Sequence, residues 1–269
     1  MSASMPAVIY EVQDDIATLT LNRPASLNAL NLAMIDDLRA STARAAFDPA
    51  VRVVIVRGAG EHFMAGGDLK WFRDQLALPP DERQARFEET IAAVHASILS
   101  LKGMSKPVIA AVQGAVAGFG LSLMMAADLV LAADSAYFTL AYSNIALSPD
   151  GGATWSLPRQ VGLKQAMEIA LLGDRFDAAR ALELGLVNRV VPLAELDAST
   201  LKLAQRLAAG PAEALARTKA LLNRSLDNSL ETQLVAEQRS FAACGAHPDF
   251  GEGLAGFFEK RKPVYEKAG

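Results

Sequence analysis

Two apolar runs, each closed by a glycine, limit what this chain can fold into. They are VRVVIVRG (51–58) and PVIAAVQG (107–114), whose centres are apolar at every position. A strand with one wet face alternates polar and apolar residues, whereas a run apolar throughout must be covered on both sides. Each run leads into a glycine-rich turn, Phe63-Met-Ala-Gly-Gly-Asp-Leu69 or Ala117-Gly-Phe-Gly-Leu121, and then into a helix. Strand, glycine turn and helix recurring in this order predict an α/β core of similar layers, with ligand-binding turns on one edge.

The flanking segments fit such a core. Residues 7–13 and 16–22, split by Asp14-Asp15, read as a β-hairpin that Arg23-Pro24 ends. Asn31 is placed to cap a helix running to about Ala46, with Met34, Ile35, Leu38 and Ala45 on one side. Segment 81–101 reads as a helix with Phe87, Ile91, Val94 and Ile98 at helical spacing, 121–128 as a shorter one, and 129–140 as strand-like. After Val191-Pro192 the β-branched runs stop, and 197–260 reads as three or four helices broken at Gly210-Pro211, near Asp227-Asn228 and at His247-Pro248. The expected division is a core over 1–195 and a helical subdomain over 196–269.

Composition excludes several classes of function. About half of the 269 residues are apolar, the net charge is −4 and no dense Lys/Arg run occurs, so nucleic acid is not an expected partner. The single cysteine, Cys244, allows neither an intrachain disulfide nor a cysteine-based zinc site, and no His, Asp and Glu cluster has metal-ligand spacing, so no metal is expected. The most apolar stretch, 108–127, is interrupted by Gln113 and three glycines, and the N-terminal MSASMPAV lacks a signal peptide's basic and apolar regions. The expectation is a cytoplasmic protein without membrane attachment.

Both glycine turns leave amides free near a helix N-terminus, and two such amides brought together bind a developing oxyanion. On composition alone they serve equally as close-packing glycines. Neither matches a dinucleotide or P-loop pattern.

Six segments in order then establish a resemblance: NRPASLNALN (22–31), HFMAGGDLKWF (62–72), KPVIAAVQGAVAGFGLSLMMAADLVLAADSAYF (106–138), SPDGGATWSLPRQVG (148–162), ALELGLVNRVVP (181–192) and FFEKRKPVY (257–265). The chain resembles the crotonase superfamily, the enoyl-CoA hydratases and isomerases. The resemblance implies a spiral of ββα units with a C-terminal helical part used for trimerisation, as a trimer or a dimer of trimers. It implies an acyl-CoA substrate, with coenzyme A entering as part of the thioester and no cofactor held permanently. The enolate-binding amides carry over to Gly67 and Phe119; only the N–H is needed at 119, so the ring would face elsewhere. CoA contacts carry over to Ala25, Ser26, Leu27, Ala65, Asp68 and Leu69, with Phe257 and Lys260 closing over the nucleotide, often from a neighbouring subunit. A lysine common in the first segment is Ala25 here, which removes one phosphate contact.

The reaction class rests on one residue. The two glutamates of the hydratases fall at Ser122 and Tyr142, and neither side chain replaces a carboxylate near neutral pH. Asp150, inside the turn LSPDGGATW, stands where certain isomerases of the family place their single carboxylate. One carboxylate suffices for a 1,3-proton shift, and burial beside Trp155 and Leu147 is expected to raise its pKa. An enoyl-CoA isomerase is therefore the leading expectation. The alternatives are an atypical hydratase working through Asp150 alone, an aryl-CoA dehalogenase or hydrolase using Asp150 as nucleophile with a histidine base, and a decayed acyl-CoA-binding trimer. Among the three histidines, His95 sits at apolar helical spacing and reads as packed or superficial. Ser122 is expected to cap a helix and, with Tyr142 and Trp71, to line the acyl pocket beside Phe72 and Phe87; Asp68 is expected to brace its turn, and Glu61 and Asp74 to lie on the surface.

Overall fold

The computed structural model describes residues 5–265. The hairpin forms as expected, with β1 (Val8–Gln13) antiparallel to β2 (Ile16–Leu21). β3 (Val53–Gly58), β4 (Val108–Val112), β6 (Leu129–Ala133) and β9 (Arg189–Val191) then add in parallel, giving the order β1-β2-β3-β4-β6-β9. The register pairs Ile16 with Val53, Val54 with Val108 and Ile109 with Leu129. β5 (Ala115–Ala117), β7 (Tyr137–Thr139) and β8 (Phe176–Asp177) form a second, three-stranded sheet.

The unbroken apolar strands are explained by two cores, one on each face. Val54, Val56, Ala110, Val112, Val130 and Ala132 project into the larger core, and the alternate residues Val53, Ile55, Ile109, Ala111, Leu131 and Ala133 into the smaller. The larger is closed by α1 (Leu32–Phe47), α3 (Pro80–Gly103) and α4 (Phe119–Ala126). Asn31 does cap α1, its side chain accepting from the Met34 N–H at 3.0 Å. Every residue of α4 is buried, which is why the stretch 108–127 is so apolar: it is strand, turn, strand and core helix in succession. Among the described residues no helix is long and apolar enough to cross a membrane.

The smaller core is covered by α8 (Leu196–Ala208), through Leu196 and Ala204. This helix lies beyond the expected boundary at 195 yet packs on the sheet. Of the three or four helices expected there, the structure has four, α8, α9 (Ala212–Arg224), α10 (Leu230–Ala246) and α11 (Pro248–Phe258), with breaks at the three anticipated places. α9 is fastened to the body by Lys219, whose Nζ pairs with Asp128 at 2.7 Å and donates to the carbonyls of Leu101 (3.0 Å) and Lys106 (2.9 Å).

Two expectations need correction. The strand-like 129–140 is two strands in different sheets, because the chain turns at 134–136, where Ala136 N–H donates to the Ala133 carbonyl. The helix expected from 121 starts at Phe119, directly after Gly118 turns the backbone with φ +51°. Remaining elements are α2 (Leu69–Asp74), α5 (Ala153–Val161), α6 (Leu163–Leu172) and α7 (Ala178–Glu183).

Candidate active site

The site begins where the two glycine turns meet. The loop after β3 runs beside β5: Met64 N–H donates to the Ala115 carbonyl (3.0 Å) and Ala117 N–H to the Met64 carbonyl (2.9 Å). Two residues further on, Gly66 and Gly118 stack backbone on backbone. A Cβ placed on either would lie 3.5–3.6 Å from the other's Cα, and both have positive φ. Gly67 and Phe119 follow immediately, and both line one cavity of about 320 Å³. Among the described residues neither N–H donates to any protein acceptor, Phe119 because it opens α4 and Gly67 because its neighbours make the bridge to Leu30.

Each turn is braced from outside the cavity. The Asp68 carboxylate caps α2 through Lys70 N–H (3.0 Å) and pairs with Arg23 (3.0 Å). Burial works against its charge, but the Arg23 bonds and the Lys70 N–H outweigh it and hold the carboxyl below its ordinary range. Asn28, fully buried at φ +54°, accepts from Arg23 N–H and donates to the carbonyls of Ala59 (2.9 Å) and His62 (2.7 Å). His62 in turn accepts from Ala115 N–H at Nδ1 (3.1 Å). Sequence reading gave neither residue a role, and the only signal for Asn28 was a polar residue between Leu27 and Ala29 in a turn.

The cavity wall is apolar. α3 supplies Phe87, Thr90, Ile91 and Val94, and Trp71 and Phe72 of α2 pack on Phe87 with ring centroids 5.5 and 5.8 Å away. The Phe72 ring lies against Gly67, where a Cβ would meet it at 2.6 Å. Leu30, Leu32 and Ile35 close another side, and Ala65 and Leu69 also line the space. Ala25, Ser26 and Leu27 form an exposed 3₁₀ turn beside it, tied in by Ala65 N–H donating to the Leu27 carbonyl. Phe257, at the exposed end of α11, and Lys260, just beyond it, do not line the cavity within one chain.

Asp150 is the only carboxylate among the lining residues. Its Oδ1 accepts from the Tyr142 hydroxyl at 2.5 Å, and its carbonyl accepts from Ser122 Oγ at 2.9 Å. Burial pushes the Asp150 carboxyl above the usual carboxylate range, while the Tyr142 hydroxyl draws it back. Burial and the neighbouring Asp150 push the Tyr142 phenol far up, so it stays a donor. His95 Nε2 accepts from Gly151 N–H at 3.2 Å, an acceptor role that leaves the ring proton on Nδ1.

Three expectations change here. Ser122 is neither a cap nor a lining residue: it is the fourth residue of α4, buried behind the cavity wall, and holds the Asp150 peptide. Trp155 does not bury Asp150. It is 41% exposed and stacks on Arg159, with the guanidinium 4.0 Å from the ring centroid. His95 is neither merely packed nor superficial, since it reaches the turn that carries Asp150. Tyr142, Trp71, Phe72 and Phe87 all line the cavity, while Glu61 and Asp74 are exposed.

Two stacked glycine turns with free amides and one half-buried carboxylate thus line a single, largely apolar cavity. A model of the enoyl-CoA hydratase/isomerase family matches residues 11–268, and the chain belongs to that family. It is 38% identical to a probable enoyl-CoA hydratase of Rhodobacter capsulatus over 97% of this chain and 98% of that one. To the 1,2-epoxyphenylacetyl-CoA isomerase of Escherichia coli it is 36% identical, with the same coverage. The crystal structure of an enoyl-CoA hydratase from Polaromonas sp. JS666 superposes with a TM-score of 0.90 at 37% identity, over 96% of this chain and 99% of that one.

Proposed function

We propose that the protein is an enoyl-CoA isomerase in which Asp150 moves a proton between Cα and Cγ of the bound thioester. The observation that carries this is the single carboxylate among the lining residues, raised in pKa by burial and sharing the cavity with the two unengaged amides. The Asp150 carboxylate takes the Cα proton of a 3-enoyl thioester, and the electron pair moves onto the carbonyl oxygen. That oxygen lies between the Gly67 and Phe119 N–H groups; removal of one such donor costs about 3–4 kcal/mol of barrier. The dienolate then collapses as Asp150 returns the proton at Cγ, leaving a 2-enoyl thioester and a regenerated carboxylate. Atoms and charge balance with no water consumed.

The surroundings of Asp150 support the proton-shuttling role. Tyr142 and Ser122, at the positions where a hydratase would hold carboxylates, are occupied in bonding Asp150 and its peptide. The raised pKa makes it a stronger base and brings it nearer to working pH. His95 supplies a histidine near Asp150, as the hydrolytic alternative needs. That reading ranks lower, because His95 does not line the cavity and its Nε2 is engaged by Gly151. Assembly through the C-terminal helices belongs to the same proposal, supported by Leu230, Leu234 and Phe241 of α10, all more than half exposed in the single chain.

The test is conversion of 3-enoyl-CoA to 2-enoyl-CoA, followed by the absorbance of the conjugated thioester. Asp150→Asn should lower kcat by about 10²–10⁴-fold while acyl-CoA binding persists. Full activity in that variant, or steady hydration of 2-enoyl-CoA at a rate exceeding isomerisation, would overturn the reading.

A further inference from the structure

Asp150 is held from three separate elements, and one of the three holds is not yet accounted for. Tyr142, beside the 3₁₀ turn Ser143–Ile145, binds the carboxylate, and Ser122 of α4 binds the carbonyl of the same residue. The amide on the far side of that peptide belongs to Gly151, and it donates to His95 Nε2 at 3.2 Å, across 56 positions of sequence. Gly151 is closely packed on this side. Its φ is +61°, and a Cβ there would meet the Phe119 ring and Ser122 Cβ at 2.8 Å, so its Cα is pressed against the residues that form the amide side of the site.

We infer that His95 is a positioning residue for the Asp150 base, fixing the 150–151 peptide plane through Gly151 N–H. Both polar ends of that plane are then tied, the carbonyl by Ser122 and the N–H by His95. The direction in which the Asp150 side chain leaves the backbone is set by this plane, and therefore so is its distance from the substrate carbon. His95 is half-buried on α3, one residue past Val94, so the helix that walls the acyl cavity also aims the base. His95 itself does not line the cavity, and it acts only through Gly151. The arrangement fixes its chemistry too: Nε2 is the acceptor, the proton is on Nδ1 and the ring is neutral. The inference rests on the reading of Asp150 as the base.

Three measurements on the full-length protein test it. In His95→Leu, kcat for the 3-enoyl-CoA reaction should fall about 10–100-fold with KM little changed, because a base misplaced by an ångström loses rate without losing binding. In His95→Gln, whose amide oxygen can take the place of Nε2, most of the rate should return. A role in packing alone would leave kcat unchanged relative to KM and would not distinguish leucine from glutamine. Long-range ¹H–¹⁵N spectra of the wild-type protein should show His95 protonated at Nδ1 and bare at Nε2. This spectrum decides the matter even if His95→Leu does not fold. Wild-type kcat in His95→Leu, or a proton on Nε2, would overturn the inference. Full activity of Asp150→Asn would instead remove the base reading itself, a result obtained with His95 intact and so distinguishable from failure of the positioning role.

Discussion

The Tyr142 hydroxyl lies 2.5 Å from Asp150 Oδ1, and the two groups shift each other's titration in opposite directions. Donation by Tyr142 stabilises the carboxylate and lowers its pKa, while the carboxylate raises that of the phenol. In Tyr142→Phe the donor is gone and the effect of burial is less opposed, so the Asp150 pKa should rise further. The acid limb of kcat/KM should move to higher pH, with activity lost first on the acid side. A pH–rate profile of the variant checks this, and an unmoved or lowered limb would count against the pairing.

The same burial implies that the base is held at a cost to stability. A carboxyl whose folded pKa is above its unfolded value binds its proton more tightly when folded. As pH rises through the window between the two values, the folded state gives up that proton at a cost and stability falls. An asparagine side chain has no such proton to lose, so Asp150→Asn should be more stable than wild type above the window, by on the order of 2 °C in Tm. Thermal scans at pH 4 and pH 8 should show the gain at the higher pH only.

Gly120 and Gly103 make opposite predictions for the same substitution. A Cβ on Gly120 would lie 2.4 Å from the Met64 carbonyl oxygen, a backbone atom of the neighbouring turn. Gly120→Ala must therefore push α4 away from that turn and separate the Gly67 and Phe119 amides. It should cost about 1–3 kcal/mol of stability and lower kcat as well. Gly103, at the end of α3, has open space where an added methyl would sit, with nothing within 4 Å, and Gly103→Ala should be neutral or add about 0.5–1 kcal/mol. Urea titrations and kinetics on the pair measure both.

Lys219 should matter to stability and not to chemistry. Burial lowers its pKa, yet Asp128 and two carbonyls hold it charged, with only 9% of the side chain exposed. Lys219→Ala removes the ion-pair partner of Asp128, which keeps the Val108 N–H, and frees α9 from the body; it should cost about 1.5–3 kcal/mol. The expected result is a lower urea midpoint with kcat retained in the fraction that stays folded.

Much of this architecture was legible in the sequence, for reasons that differ between regions. The hairpin, α1, α3 and the breaks at 210–211, 227–228 and 247–248 depend on local turn, capping and periodicity signals, and these agree with the structure. The stretch 129–140 misled because apolar residues continue across a turn whose only polar marks are Asp134 and Ser135. Asp150 was visible as a carboxylate, but the atoms that hold it were not. His95 and Ser122 reach it across 56 and 28 positions, a separation at which periodicity carries no information. Trp155 looked like the neighbour that buries Asp150 because it is close in sequence, but α5 turns its ring outward onto Arg159.

The contact between Gly66 and Gly118 has a consequence for how such a protein can change over time. Both glycines have positive φ, and a Cβ on Gly66 would press on the Ala117 carbonyl oxygen at 3.2 Å, so neither turn takes a side chain without strain. The groups proposed to hold the enolate are thus written in main chain, beyond the reach of most point substitutions. Ser122, Tyr142 and Asp150, by contrast, are joined through their side chains, and each can be exchanged singly to alter the acid–base chemistry. Innovation in this molecule has a fixed half and a free half, and a new reaction can be sampled at the second without re-forming the first.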